Sequence, residues 1–206
     1  PASLRPATER AREAFVEDAF WATRSSVTVP GPRFPERSVY RRARDLLFQE
    51  PMRLEWQLRS ACGYAELGMD RESLAELNSI PKAMQDRPEV LQLRLHHLML
   101  RKSWPRALTL SRKLCRVAPD CGAGFLHAGF CLNQLGRTEE ARLVLLKGPP
   151  ALRREPIFHY NLGCYEALLG HLKDAQRHLE TSFQMDANFR QIAKKDPDLK
   201  TLQPFL

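Results

Sequence analysis

Apolar residues recur three and four positions apart along most of this chain, and polar residues fill the intervals. On a helix of 3.6 residues per turn that spacing draws one apolar stripe. No stretch sustains the every-second-residue alternation of a strand. Residues 6–23 place Ala7, Ala11, Phe15, Ala19 and Ala22 on one stripe, with Val16 and Phe20 beside it. Residues 36–50 place Val39, Ala43 and Leu46 on another, which ends at Pro51. The segment TRSSVTVPGPRFP (23–35) between them is too long for a tight turn and reads as an inserted loop.

A register emerges further on. Residues 127–141 read HAGFCLNQLGRTEEA and residues 161–175 read NLGCYEALLGHLKDA. Gly129 and Gly163, Leu135 and Leu169, Gly136 and Gly170, and Ala141 and Ala175 are each 34 residues apart. The same step leads back from Ala141 to Ala107, and two steps lead from Gly136 to Gly68 and from Pro119 to Pro51. Four units therefore tile 54–87, 88–121, 122–155 and 156–189, each predicting two helices with a break at the glycine. Gly136 and Gly170 stand where a helix ends and the backbone turns left-handed. Gly129, Gly163, Ala61, Ala141 and Ala175 stand mid-helix. Glycine there costs about 0.5–1 kcal/mol relative to alanine, which close approach of a neighbouring helix offsets.

These residues resemble the tetratricopeptide repeat family, whose unit is a helix–turn–helix of 34 residues. Residues 156–189 match best, through Asn161, Leu162, Gly163, Leu169, Gly170, Asp174 and Ala175; residues 122–155 follow, with Phe125, Ala128, Gly129, Gly136 and Ala141. Residues 88–121 keep Leu91, Leu95, Ala107 and Pro119 but put Lys102 at the turn position; residues 54–87 keep Ala61, Tyr64 and Gly68 but put Ser73 where the small alanine belongs. The resemblance implies an all-α, right-handed solenoid of antiparallel helix pairs with a C-terminal capping helix. Residues 1–53 form a degenerate further unit carrying the inserted loop, and residues 190–206 supply the cap and tail. The cap helix is expected over 189–196, stopping before Pro197, because a stack of helices leaves an apolar face bare at its end. Units 54–87 and 122–155 end early, at Ile80-Pro81 and at Lys147-Gly148-Pro149-Pro150, which leaves room for gaps or bends.

Composition adds limits. The chain has 206 residues, 27% charged and 43% hydrophobic, as in ordinary globular proteins. No apolar run approaches the roughly 20 residues that span a bilayer, so membrane insertion is not expected. The N-terminal PASLRPATERAREAF lacks the apolar stretch of a signal peptide. Five cysteines (Cys62, Cys115, Cys121, Cys131, Cys164) are scattered without a CxxC, which reads as reduced thiols and a cytoplasmic setting. Net charge is +8, yet Lys and Arg alternate with Asp and Glu. Arg33, Arg37, Arg41, Arg42 and Arg44 raise an RNA-binding reading, which Glu36, Asp45 and the scarcity of interleaved aromatics weaken.

Motifs for catalysis are missing. There is no GxSxG, HExxH, P-loop or GxGxxG. Glu139-Glu140 falls in the first turn of a helix, where acidic residues favour the dipole. His96 and His97 are adjacent on a helix and diverge by about 100°. His127, His159, His171 and His178 recur at no metal spacing. A Cys164–His159 pair reads as packing before it reads as a thiolate site. No enzyme activity, cofactor or metal is expected.

The resemblance implies binding instead, along the concave face formed by the first helix of each unit. By register that face takes Leu58, Arg59 and Cys62; then Gln92, Leu93, His96 and Met99; then Leu126, His127, Phe130, Asn133 and Gln134; then Tyr160, Asn161, Cys164 and Leu168. Asn133 and Asn161 are the stronger candidates for hydrogen bonds to a guest backbone. One branch of the family grips a C-terminal carboxylate with Lys, Arg and Asn; here Asn161 fits, but the expected Lys and the second Asn are absent, which disfavours the acidic tails of heat-shock chaperones. The face reads as neutral and partly apolar, suited to an amphipathic helix or an extended apolar segment of another protein. The expected function is thus a scaffold or adaptor, with a chaperone for a secreted or assembling protein as its variant. The loop SSVTVPGPRF offers self-association as a further expectation.

Overall fold

The computed structural model describes residues 50–205, with side chains described for 53–203. Among the described residues there is helix and no strand, arranged as a right-handed solenoid of antiparallel helix pairs. The first pair is α1 (Glu50–Glu66) and α2 (Asp70–Ser79), and the second is α3 (Pro88–Leu100) and α4 (Trp104–Val117). The third is α5 (Gly122–Gln134) and α6 (Thr138–Leu146), and the fourth is α7 (Pro156–Leu168) and α8 (Leu172–Met185). A short helix α9 (Asn188–Ala193) and a 3₁₀ segment (Pro197–Phe205) follow. Residues 1–49, which hold nearly all of the degenerate unit, its loop and the arginines at 33–44, lie outside the described residues.

All four turns share one geometry. Gly68, Gly136 and Gly170 have φ of 71°, 74° and 84°, the left-handed region that costs glycine nothing. Lys102 holds the same conformation at φ 52°, with a side chain in place of a hydrogen. After each of these residues the next N–H reaches back five positions: Met69 to Tyr64, Ser103 to Leu98, Arg137 to Leu132 and His171 to Glu166, at 2.8–2.9 Å. That bond closes a Schellman motif on the first helix. The same residue's carbonyl then accepts the first N–H bond of the second helix, from Ser73, Ala107, Ala141 and Ala175. One residue ends one helix and begins the next.

The small residues are contact points. A Cβ added to Gly163 would lie 2.7 Å from Leu179 Cγ and 3.3 Å from the Ala175 carbonyl; one added to Gly129 would lie 3.3 Å from both the Ala141 carbonyl and the Tyr165 hydroxyl. Ala61, Ala107, Ala141, Ala175 and Ser73 are wholly buried. Ser73 tolerates this because its hydroxyl donates to the Ala61 carbonyl at 2.7 Å across the pair.

Side chains tie down the connections that follow the early-ending units. Gln85 donates to the Leu77 and Ile80 carbonyls, and Arg94 of α3 reaches the Leu77 carbonyl, Asn78 and Gln85, which ties a 3₁₀ turn (Lys82–Met84) to the second pair. The other connection is a 3₁₀ turn (Pro150–Arg154) whose Leu152 is buried against Gly122 and Gly148, where added Cβ atoms would stand 2.8 and 2.7 Å from its methyl carbons. The core falls into two clusters that meet at α3. Val90 and Leu93 join the first pair, while Leu91, Leu95 and Met99 join the main core that runs on to Leu202.

The cap differs from expectation. α9 ends at Ala193, and the chain then turns at Asp196, whose side chain accepts the Asp198 N–H at 3.0 Å. From there the 3₁₀ segment lies along α7, burying Leu199 and Leu202. A helix ending near Pro197 was legible; the burial of the segment beyond it was not.

Candidate functional site

The first helices of the pairs set the candidate face, and its residues divide by accessibility. His96, Met99, Leu126, His127, Tyr160 and Asn161 are all buried. Gln92, Phe130, Asn133 and Gln134 are half-buried. Arg59 is exposed and bound to Glu55 on its own helix at 3.1 Å; Leu168, 46% exposed, stands at the end of α7. Gln92 donates to Cys121 Sγ at 3.4 Å, and Phe130 meets Trp104 edge-on with centroids 5.7 Å apart. Much of the expected groove is therefore interior.

Phe130, Asn133, Tyr160 and Asn161 do converge. With Cys164, Tyr165, Ile192, Asp196 and Asp198 they line a cavity of about 20 Å³, room for one water. Its two carboxylates belong to the chain's own C-terminal segment. Tyr160 donates its hydroxyl to Asp196 Oδ2 at 2.8 Å, with Cys164 Sγ 3.8 Å from the same oxygen. Asn133 donates Nδ2 to Asp198 Oδ2 at 3.1 Å and accepts from the Thr138 hydroxyl at 2.9 Å. Asn133, a candidate for bonding a guest backbone, here bonds two residues of its own chain. Asp196 and Asp198 were missed because register arguments stop where the repeat stops.

A second group of polar residues sits deeper. Ser73 has one proton, which goes to the Ala61 carbonyl, so at His97 Nε2, 2.8 Å away, it must accept. His97 therefore carries hydrogen on Nε2. Its Nδ1 faces Asp70 Oδ1 at 3.2 Å, an attractive contact only when the ring is charged. Burial lowers the His97 pKa, and Asp70 opposes that shift. His96 leaves the helix about 100° from His97, yet the two rings meet edge-on with centroids 5.7 Å apart. Burial holds its pKa at about 4, helped by His97 and opposed by Asp70. His127 on α5 is also pushed to about 4, by burial and then by His96. These are neutral core histidines at ordinary pH.

Glu166, buried on α7, binds Arg142 Nε and His171 Nδ1 at 2.6 and 2.7 Å. Burial alone would raise this carboxyl, but the two partners outweigh it and it titrates below the usual range. The group clamps α6, α7 and the Gly170 turn together. Glu139 and Glu140 occupy the first turn of α6 as expected, with Glu140 bound to Arg137 through both oxygens at 2.6 and 2.7 Å.

The cysteines are free thiols, and burial raises Cys131 to about 12 and Cys115 to about 11, so neither is an activated nucleophile. Among the described residues no cluster of three or more His, Cys, Asp or Glu could hold a metal, and no helix is long and apolar enough to cross a membrane.

No family model and no curated protein matches the chain. Solved structures resemble it in fold. MamA MSR-1 C2 has a TM-score of 0.53 at 15% identity, over 88% of this chain and 92% of its own. A mutant form of MamA has the same TM-score at 16% identity, over 87% and 92%. MamA is a tetratricopeptide-like helical protein, so the likeness places this chain among helical-repeat architectures.

Proposed function

We propose that the chain is a non-enzymatic scaffold or adaptor that holds a peptide segment or helix of another protein against the first helices of its pairs. In this proposal units 54–87, 88–121, 122–155 and 156–189 form one array closed by residues 190–206. One observation carries it: α5 and α7 already hold a non-repeat segment of the chain, through Asn133, Tyr160 and the burial of Leu199 and Leu202. A face that seats one irregular segment by two side-chain hydrogen bonds and two leucines has the chemistry to seat another beside it. The half-buried Gln92, Phe130 and Gln134 continue that face toward α3. A cytoplasmic site of action belongs to the same proposal and rests on the cysteine usage.

The test is positional. A photo-crosslinking residue at Gln92 or Gln134 is expected to capture a discrete partner in the native host, while the same residue at Arg112 or Glu180, exposed on second helices, captures none. Equal capture from both sets of positions would refute the reading.

A further inference from the structure

His159 of α7 and His178 of α8 are 19 residues apart in sequence, and no spacing rule pairs them. The packing of the fourth helix pair does. Their Nδ1 atoms lie 3.3 Å apart, and the rings face each other with centroids 5.6 Å apart and planes 28° from parallel. The other nitrogen of His159, Nε2, is 3.1 Å from the Arg153 carbonyl. A carbonyl only accepts, so Nε2 carries the hydrogen and Nδ1 of neutral His159 presents a lone pair toward His178. In the pair as it stands, His178 Nδ1–H donates to that lone pair.

We propose that His159 and His178 form a two-histidine site for a divalent transition metal of the zinc class. Three features converge on it. Two ligand nitrogens at about 2.0–2.1 Å from a tetrahedral metal stand about 3.3–3.4 Å apart, which is the separation found here, whereas a right-angled pair stands about 2.9 Å apart. The Arg153 carbonyl fixes the tautomer and orientation of His159, the support that metal-bound imidazoles ordinarily receive from a carbonyl or carboxylate. Both ligands ride on helices of one tightly closed pair, so the separation is set by the Gly163–Leu179 contact rather than by a loop.

Binding requires modest rearrangement. The His178 proton relocates from Nδ1 to Nε2 through solvent, leaving both rings neutral and both Nδ1 atoms bare. Each ring turns by about 35° so that its lone pair meets the metal off the line between the nitrogens, a change that the broad ring torsion allows. Both residues are half-buried, so water completes the coordination. Glu166 and Asp174 favour a cation near His178, against Arg177. Imidazole donors suit zinc, copper and nickel, and exclude magnesium and calcium.

The experiment uses the full chain. Calorimetric titration with Zn²⁺ is expected to show one equivalent bound, while Mg²⁺ shows none. His159→Gln and His178→Gln should each weaken Zn²⁺ binding at least about tenfold with helical content unchanged, and His171→Gln should leave it unaltered. Nitrogen-15 chemical shifts should move at the rings of His159 and His178 alone. Cobalt as a zinc surrogate distinguishes the donors, since the five thiols would add an intense near-ultraviolet thiolate band. No binding, affinity unchanged in both variants, or a thiolate band would overturn the proposal, and the ring shifts decide the matter even if a variant folds poorly.

Discussion

At one position in the repeat the first pair has Ser73 where the fourth has Ala175, and at another it has Ala61 where the fourth has Gly163. At these positions the fourth pair closes by apolar contact, with Gly163 giving Leu179 room and Ala175 wholly buried. In the first pair a hydroxyl occupies the corresponding place: Ser73 bonds the Ala61 carbonyl and then receives His97 from the next pair. The comparison teaches that one framework can be shut either by removing atoms or by satisfying them. The polar solution has a further effect, since it joins the first pair to α3 through a group that can titrate.

Acid should separate the two halves most strongly. Burial keeps His96 and His127 neutral in the folded chain, with pKa about 4 against 6.5 when unfolded, so the unfolded chain binds more protons below pH 6.5. Stability present above that pH is lost as pH falls toward 4. Each histidine then contributes about 2 kcal/mol of destabilisation by pH 5, and His97, also lowered, adds in the same direction. Hydrogen exchange at pH 5 is expected to show α3 and α5 losing protection before α8. The pKa of His178 on α8 is lowered by burial too, but α3 and α5 carry three such histidines, so α8 opening first would break the contrast between the two regions.

Overfilling the apolar solution comes next. Gly163→Val drives a branched side chain into Leu179 and should cost about 3 kcal/mol, a fall of roughly 6–12 °C in Tm. An unchanged melting curve would mean that the pair does not depend on that contact. Ser73→Ala, which restores the residue the repeat prefers, should nonetheless destabilise by about 2 kcal/mol in urea unfolding, because it leaves the buried His97 N–H without its acceptor. Neutral or improved stability would show the polar tie to be dispensable. The smallest effect has the opposite sign. Lys102→Gly relieves a left-handed lysine and should raise stability by about 1 kcal/mol, whereas glycine at Arg101, in the ordinary region, should not.

Local chemistry carried most of the fold. A glycine that turns left-handed and an alanine that must be small each leave a trace at a fixed offset, so the turns at Gly68, Gly136 and Gly170 and the contacts at Gly129 and Gly163 were legible. Even the irregular members were visible: Lys102 and Ser73 stood out as departures, and each proved to mark a strained turn or a polar substitute. The candidate face was less legible. Register places His96, His127 and Tyr160 on first helices, but burial depends on what else the chain lays over them. Asn133, expected to bond a guest backbone, bonds Asp198 of its own chain, and Asp196 and Asp198 come from beyond the periodic part. The His159–His178 pairing joins the two helices of one pair at positions in no repeating relation, and only packing discloses it.

The shared residue at each turn leaves the helix pairs without slack. Adding a single residue at 68, 102, 136 or 170 would rotate the following helix by about 100° and swing its apolar stripe out of the interior. Length can change only where the joints already stray from the ideal, at 81–87 and 149–155, each of which ends in a short 3₁₀ coil plugged by a side chain. Those two joints are the places where the array's pitch can be retuned without rewriting any pair.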